Sequence, residues 1–264
     1  MVKDLNMGTP LPLIRIIDLK KSYGTKEILK GINLDIFPGQ VIGYIGPNGA
    51  GKSTTVKILT GLIEDFTGQV EINGIDIQKD PLSIKSQLGY VPENAELYEV
   101  LTPIEYLDFV GKLYGMDYAT IQERSLKLLS AFGLTANVNN RMDTFSKGMR
   151  QKVLLISGII HNPQIIILDE PLSGLDANAV IFVKELISLL AKEGKTIFYC
   201  SHMMDVVEKV SDRILLINQG SIIADGTIDE LKSDPNESLE QVFAKLTNTE
   251  NDTLDASNII SAIQ

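Results

Sequence analysis

The chain has 264 residues, 44% hydrophobic and 22% charged, the profile of one large α/β domain or of one domain carrying an inserted subdomain. Its net charge of −10 disfavours a nucleic-acid partner. The single cysteine, Cys200, excludes an intrachain disulfide and reads as a buried, inert thiol, and no stretch approaches the ~18–20 uninterrupted apolar residues of a membrane span.

Residues 1–8 carry no apolar run of signal-peptide length, so the expected location is the cytoplasm. Residues 13–23 and 28–37 read as strands joined by the polar turn Gly24-Thr25-Lys26, and Pro38-Gly39 turns the chain into a short apolar strand at 41–45. The run Gly46-Pro47-Asn48-Gly49-Ala50-Gly51-Lys52-Ser53-Thr54 follows. It fits G-x-x-x-x-G-K-[ST], the phosphate-binding loop. Glycines let the backbone bend tightly and aim several N–H groups at one anion. Lys52 reaches the β- and γ-phosphates, and the Ser53 hydroxyl can ligate Mg²⁺. Residues 53–59 read as a helix whose N-terminus faces the phosphates.

Strands are expected at 69–73 and 88–92. The middle of the chain turns helical: 103–114 after Thr102 as N-cap with Glu105 at N3, then 121–132, then 147–160. Strands at 165–168, 195–200 and 213–217 alternate with a helix at 179–191, which implies a parallel sheet covered on both faces. Residues 93–161 would be a helical insert in that core. His161, before Asn162-Pro163, reads as a surface or core residue. The run Ile165-Ile166-Ile167-Leu168-Asp169-Glu170 ends a buried strand in two carboxylates, at the edge where α/β sheets bind ligands. Asp169 is placed to hold Mg²⁺, directly or through water, and Glu170 to orient or deprotonate an attacking water. A phosphate cradle, a metal and a positioned nucleophile are what phosphoryl transfer needs. Residues 248–264 receive no assignment.

Two further runs, Phe145-Ser146-Lys147-Gly148-Met149-Arg150-Gln151 and Pro171-Leu172-Ser173-Gly174-Leu175-Asp176, complete a set that resembles the nucleotide-binding subunit of an ABC transporter. The resemblance spans about 13–246. It implies a P-loop α/β fold with a parallel-sheet core, an N-terminal antiparallel β subdomain and an inserted helical subdomain. The implied cassette is 1–234, with the insert at about 93–161, followed by a C-terminal helix and tail at 235–264. It also implies ATP and Mg²⁺ as cofactors. Tyr23 would offer its π-face to adenine, with Gly46, Asn48, Gly49, Ala50, Gly51, Lys52, Ser53 and Thr54 around the phosphates. Ser146 and Gly148 would stand at a helix N-terminus and meet the γ-phosphate bound by a second subunit. His202 would hydrogen-bond that phosphate and the water. Asp176 would work across the dimer interface, cap its own helix, or both.

Two departures from the family pattern stand out. Glu93 occupies the place of a common glutamine; it can ligate Mg²⁺ as a carboxylate but adds negative charge near the phosphates. In the signature, Phe145, Lys147 and Met149 replace Leu, Gly and Gln, while Ser146 and Gly148 are kept. With Val91-Pro92-Glu93-Asn94, Leu97-Tyr98-Glu99, Leu101-Thr102 and Ser238-Leu239-Glu240-Gln241-Val242-Phe243, the chain is similar to the ABC-2-type exporter branch. That branch implies an ATPase powering a separate polytopic permease, as a homodimer or heterodimer of ATPase subunits on the inner face of the membrane. The rival class is an ABC-type ATPase acting on ribosomes, DNA or iron–sulfur assembly. One nucleotide site rather than two, the absence of a cysteine cluster or coiled-coil insert, and the acidic charge weigh against it. A regulator without turnover is disfavoured because Lys52, Asp169, Glu170 and His202 are all present.

Overall fold

A computed structural model describes residues 11–93 and 97–247. The strands are β1 (Ile14–Tyr23), β2 (Lys26–Ile36), β3 (Val41–Ile45), β4 (Thr67–Ile72), β5 (Ile75–Asp76), β6 (Leu88–Val91), β7 (Ile165–Asp169), β8 (Thr196–Cys200), β9 (Arg213–Asn218) and β10 (Ser221–Gly226). The helices are α1 (Lys52–Leu59), α2 (Pro81–Gln87), α3 (Pro103–Leu113), α4 (Tyr118–Ala131), α5 (Lys147–Ile159), α6 (Ala177–Lys192), α7 (Met204–Val210), α8 (Ile228–Leu231) and α9 (Leu239–Thr247). The unassigned stretch 248–264 lies outside the described residues.

Two sheets result. An antiparallel one has the order β2-β1-β4-β5, and a six-stranded one the order β10-β9-β3-β8-β7-β6. In the second, β6, β7, β8, β3 and β9 are parallel, and β10 closes the edge antiparallel to β9. Strands covered on both faces read as continuous apolar runs, and β7 shows why. Ile165 and Ile167 enter the core shared with α1 and the antiparallel sheet, while Ile166 and Leu168 enter the core on the opposite face. The two-residue side-chain period divides one aliphatic run between two cores.

Among the described residues, five of these strands and helices are additional to those read from sequence, as are two short 3-10 turns at Thr135–Asn137 and Met142–Thr144. The α2 helix is announced by Asp80, which caps Ser83 N–H, and by Pro81 at its first position. The turn Gln219-Gly220, both at positive φ, folds β10 back on β9; glutamine at a position usually given to Asn or Asp hides the hairpin. The short α7 has no side-chain cap, α8 is a single turn under a Thr227 capping box, and β5 is two residues long. Expected boundaries shift slightly: α4 begins at Tyr118 behind an Asp117 cap, and α6 at Ala177 behind Asp176.

The helices between β6 and β7 are tied to the sheet at one carbonyl. Leu88 O accepts from Tyr114 OH at 3.3 Å and lies 3.0 Å from His161 Nε2. The two rings stack with centroids 3.5 Å apart. Burial holds the His161 pKa below its ordinary 6.5, although the Leu88 carbonyl works the other way, and Nδ1 is buried without a hydrogen-bond partner. His161 is thus a half-buried packing residue. Its folded pKa lies below its unfolded one, so its contribution is whole above pH ~6.5 and is lost as the pH falls through the lower folded value. Chemical denaturation should therefore show lower stability at pH 5 than at pH 7.5, with this group contributing at most about 1.4 kcal/mol per pH unit. His161→Phe, which keeps the stack, should remove that share.

Candidate active site

The phosphate loop is held from below. Gly220 N–H donates to Ala50 O at 3.0 Å, Ala50 N–H to Pro47 O at 3.2 Å, and Thr55 N–H to Gly51 O at 2.9 Å. The buried Tyr44 hydroxyl lies 3.1 Å from Thr55 Oγ1, which donates back to Gly51 O at 3.1 Å. Lys52 Nζ donates to Gly46 O at 2.6 Å and Pro47 O at 3.2 Å. A Cβ on Gly46 would collide with Ile217 O, a backbone atom that cannot step aside. Gly46→Ala should therefore destabilise the protein by about 1–3 kcal/mol and abolish ATP retention; a thermal melt and a filter-binding assay read the two effects.

Tyr23, Lys26, Ile28, Asn48, Gly49, Gly51, Lys52, Ser53 and Thr54 line one cleft of about 220 Å³. Tyr23 is half exposed on it, and α1 begins there with Lys52, so its free N–H groups and its positive end face the cleft.

The carboxylates reach the same region from β7. Pleat parity puts Asp169 on the α1 face, together with Ile165 and Ile167. Burial, with help from Glu93 and Glu170, raises its pKa from 3.8 to about 6, against the pull of Lys52 and Lys57. Asp169 pairs with Cys200 in the parallel register. One residue beyond each, Glu170 meets Ser201. Glu170 has a left-handed φ of +49, an unfavourable choice for a side chain with a Cβ and one found where function requires it. Its N–H donates to Cys200 O at 2.9 Å. Oε2 accepts from Ser201 Oγ at 3.0 Å, and Oε1 accepts from His202 N–H at 2.9 Å. His202 Nδ1 lies 2.9 Å from the same Oε1, and its ring is largely exposed. Glu170 is thus fixed in position with one approach left open. Ser201 was not singled out from sequence; the signal available was its place between Cys200 and His202 at a strand end.

Ser146 and Gly148 do not line this cleft. Ser146 caps α5 by accepting from Met149 N–H at 3.2 Å. Lys147 Nζ donates to Ser173 Oγ at 3.0 Å, and Gly148 packs so closely that a Cβ would meet Gly174 O at 2.8 Å. Asp176 caps α6 through Ala179 N–H at 2.9 Å. The signature helix and the Ser173–Asp176 turn thus form one surface, separate from the loop cleft.

Among the described residues, no group of three or more His, Cys, Asp and Glu closes a metal cage. Ser53, Asp169 and Glu93 nevertheless offer hard oxygen donors, and the charge of Glu93 beside the buried Asp169 leaves negative charge for a dication to offset. Such a set suits Mg²⁺, which takes few protein ligands beside phosphate oxygens and water.

A family model described as ABC transporter matches residues 29–173. The linearmycin resistance ATP-binding protein LnrL of Bacillus subtilis (strain 168) is 37% identical over 221 residues, covering 84% of this chain and 71% of that protein. A solved "ATP binding subunit of ABC transporter" superposes with a TM-score of 0.83 at 31% identity, over 89% of this chain and 99% of that one. The ATP-binding cassette MJ0796, solved as a dimer in a post-hydrolysis state bound to ADP and Pi, gives 0.75 at 26% identity, over 81% and 98%.

Proposed function

We propose a function from one premise: the chain belongs to the ABC transporter family of ATP-binding proteins and is an ATPase of that family. In our reading it powers a separate membrane-spanning exporter. The cassette is 1–234, with 93–161 inserted and 235–264 as C-terminal helix and tail, and it sits on the inner face of the membrane through its permease. The observation that carries the catalytic part is Glu170, locked by Ser201 and His202 beside the loop of Lys52.

Each residue then has a task. Tyr23 stacks on adenine. Gly46 to Thr54 cradle the phosphates, and Lys52 offsets the charge of the transferring group. Ser53, Asp169 and Glu93 hold Mg²⁺, which when bound neutralises phosphate charge. Glu170 accepts a proton from, or orients, the attacking water, and His202 hydrogen-bonds both water and γ-phosphate. Ser146 and Gly148 of a second ATPase subunit complete the site, consistent with their standing apart from the cleft of their own chain.

The permease part is supported by an exposed apolar patch on the helical insert. Tyr98, Val100, Phe109 and Leu113 are exposed, and Tyr98 meets Phe109 edge to face at 5.7 Å. Apolar groups so clustered mark an interaction surface. The patch is coupled to the signature: Arg150, on the helix that Ser146 caps, donates to Glu99 Oε2 at 3.1 Å and to Met142 O at 3.2 Å. Closure around ATP can therefore pull on the permease. LnrL is named for linearmycin resistance, which favours export over import. Affinity purification of the tagged chain from gently solubilised native membranes tests this reading. A polytopic protein in stoichiometric yield supports it; ribosomes or an assembly scaffold without a membrane protein would overturn it.

A further inference from the structure

Among the described residues Lys21 is one of the few buried charged side chains, with 7% of its side chain exposed. Its Nζ lies 3.0 Å from Asp65 Oδ2, but Asp65 itself stands fully in water. A solvated carboxylate is screened and returns little of what burying an ammonium costs. The second neighbour accounts for the placement. Nζ also sits over the ring of Tyr23, 4.9 Å from its centroid, where the negative face of the aromatic quadrupole attracts a cation, most strongly when the cation is desolvated.

Lys21 and Tyr23 line different spaces. Lys21 lines a groove with Asp65, Phe66 and Thr67, whereas Tyr23 lines the cleft of Asn48, Gly49 and Lys52. Lys21 and Tyr23 are two apart on β1, so the pleat sends both side chains towards the same face of the strand.

We infer that Lys21 is the positioning residue for Tyr23: its ammonium holds the ring from behind, fixing the opposite face for an adenine base. This rests on the reading of Tyr23 as the stacking residue. A cation behind the ring also draws π-density towards itself, which makes the front face less repulsive to an electron-rich purine. Lys21 touches neither phosphate nor the reacting atoms. Its effect is confined to the half of the nucleotide that carries the base.

That confinement makes the test. Equilibrium binding of ATP and of inorganic tripolyphosphate, which has no base, is measured on the full chain for Lys21→Met, Lys21→Arg, Asp65→Asn and Tyr23→Ala. Methionine keeps the length and apolar stem of Lys21, so the fold can accommodate it. Lys21→Met should weaken ATP about five- to tenfold and leave tripolyphosphate unchanged. Lys21→Arg, which also stacks on aromatic faces, should recover most of the loss, and Asp65→Asn should stay within about twofold of wild type. In turnover, KM should rise while kcat holds. Equal weakening of ATP and tripolyphosphate by Lys21→Met would overturn the inference, because the effect would then lie in the fold or the phosphate site. So would an unchanged Lys21→Met beside a weakened Tyr23→Ala. If Tyr23→Ala leaves ATP binding unchanged, the stacking assignment itself falls.

Discussion

Glu170→Gln should bind ATP as the wild type does and hydrolyse it about 10²–10³-fold more slowly, the usual weight of a positioned general base. The amide has the shape of the carboxylate: its oxygen can still accept from His202 N–H, and its NH2 can donate to Ser201 Oγ with that bond reversed, so the side chain stays in place. It cannot take up a proton or offer a charge to the water. A steady-state phosphate-release assay beside an ATP-binding titration separates the two effects. If product release is what reopens the closed pair, the variant should also remain dimeric with ATP in size-exclusion chromatography. Turnover near the wild-type rate would remove Glu170 from the chemistry and shift attention to His202, the other group within reach of its Oε1.

Asp169→Asn should make the protein more stable and at least about a hundredfold less active, the loss expected when a metal-holding charge is removed. The carboxylate is buried near Glu93 and Glu170, with its pKa raised from 3.8 to about 6. The folded state therefore holds a proton more tightly than the unfolded chain. Stability is greatest below pH ~4, falls as the pH rises through about 6, and is flat above that. Asparagine escapes this loss, so its advantage opens between pH ~4 and ~6 and should reach about 1–2 kcal/mol at pH 7–8, after allowance for water at the strand end. Denaturation curves at pH 4 and pH 8 check it: the gain should be small at the first and full at the second. A site strained for function commonly exchanges stability for activity in this way.

The parts legible in the sequence were those written in consecutive residues. The phosphate loop lies within 46–54, and β7 announces itself by four aliphatic residues before two acids. The α3 helix shows its capping box, Thr102 with Glu105, in the sequence and in the structure. What stayed hidden depends on register between distant strands. Nothing local relates Glu170 to Ser201; the pairing of Asp169 with Cys200 does. Lys21 was unreadable for another reason. A lysine in a charged strand reads as exposed, and only the folded position of the Tyr23 ring gives it cause to be inside. The β10 strand escaped because Gln219-Gly220 is an uncommon hairpin turn.

The division of β7 between two cores has a consequence for its acids. A strand whose odd and even residues are committed to opposite sides cannot slide by one place, because every aliphatic side chain would change core. Asp169 thereby inherits the side of α1, and Glu170, turned out of the pleat by its positive φ, inherits that of Ser201 and His202. The two carboxylates carry like charge and differ by one methylene. What tells them apart is parity, enforced by four residues that never touch the nucleotide.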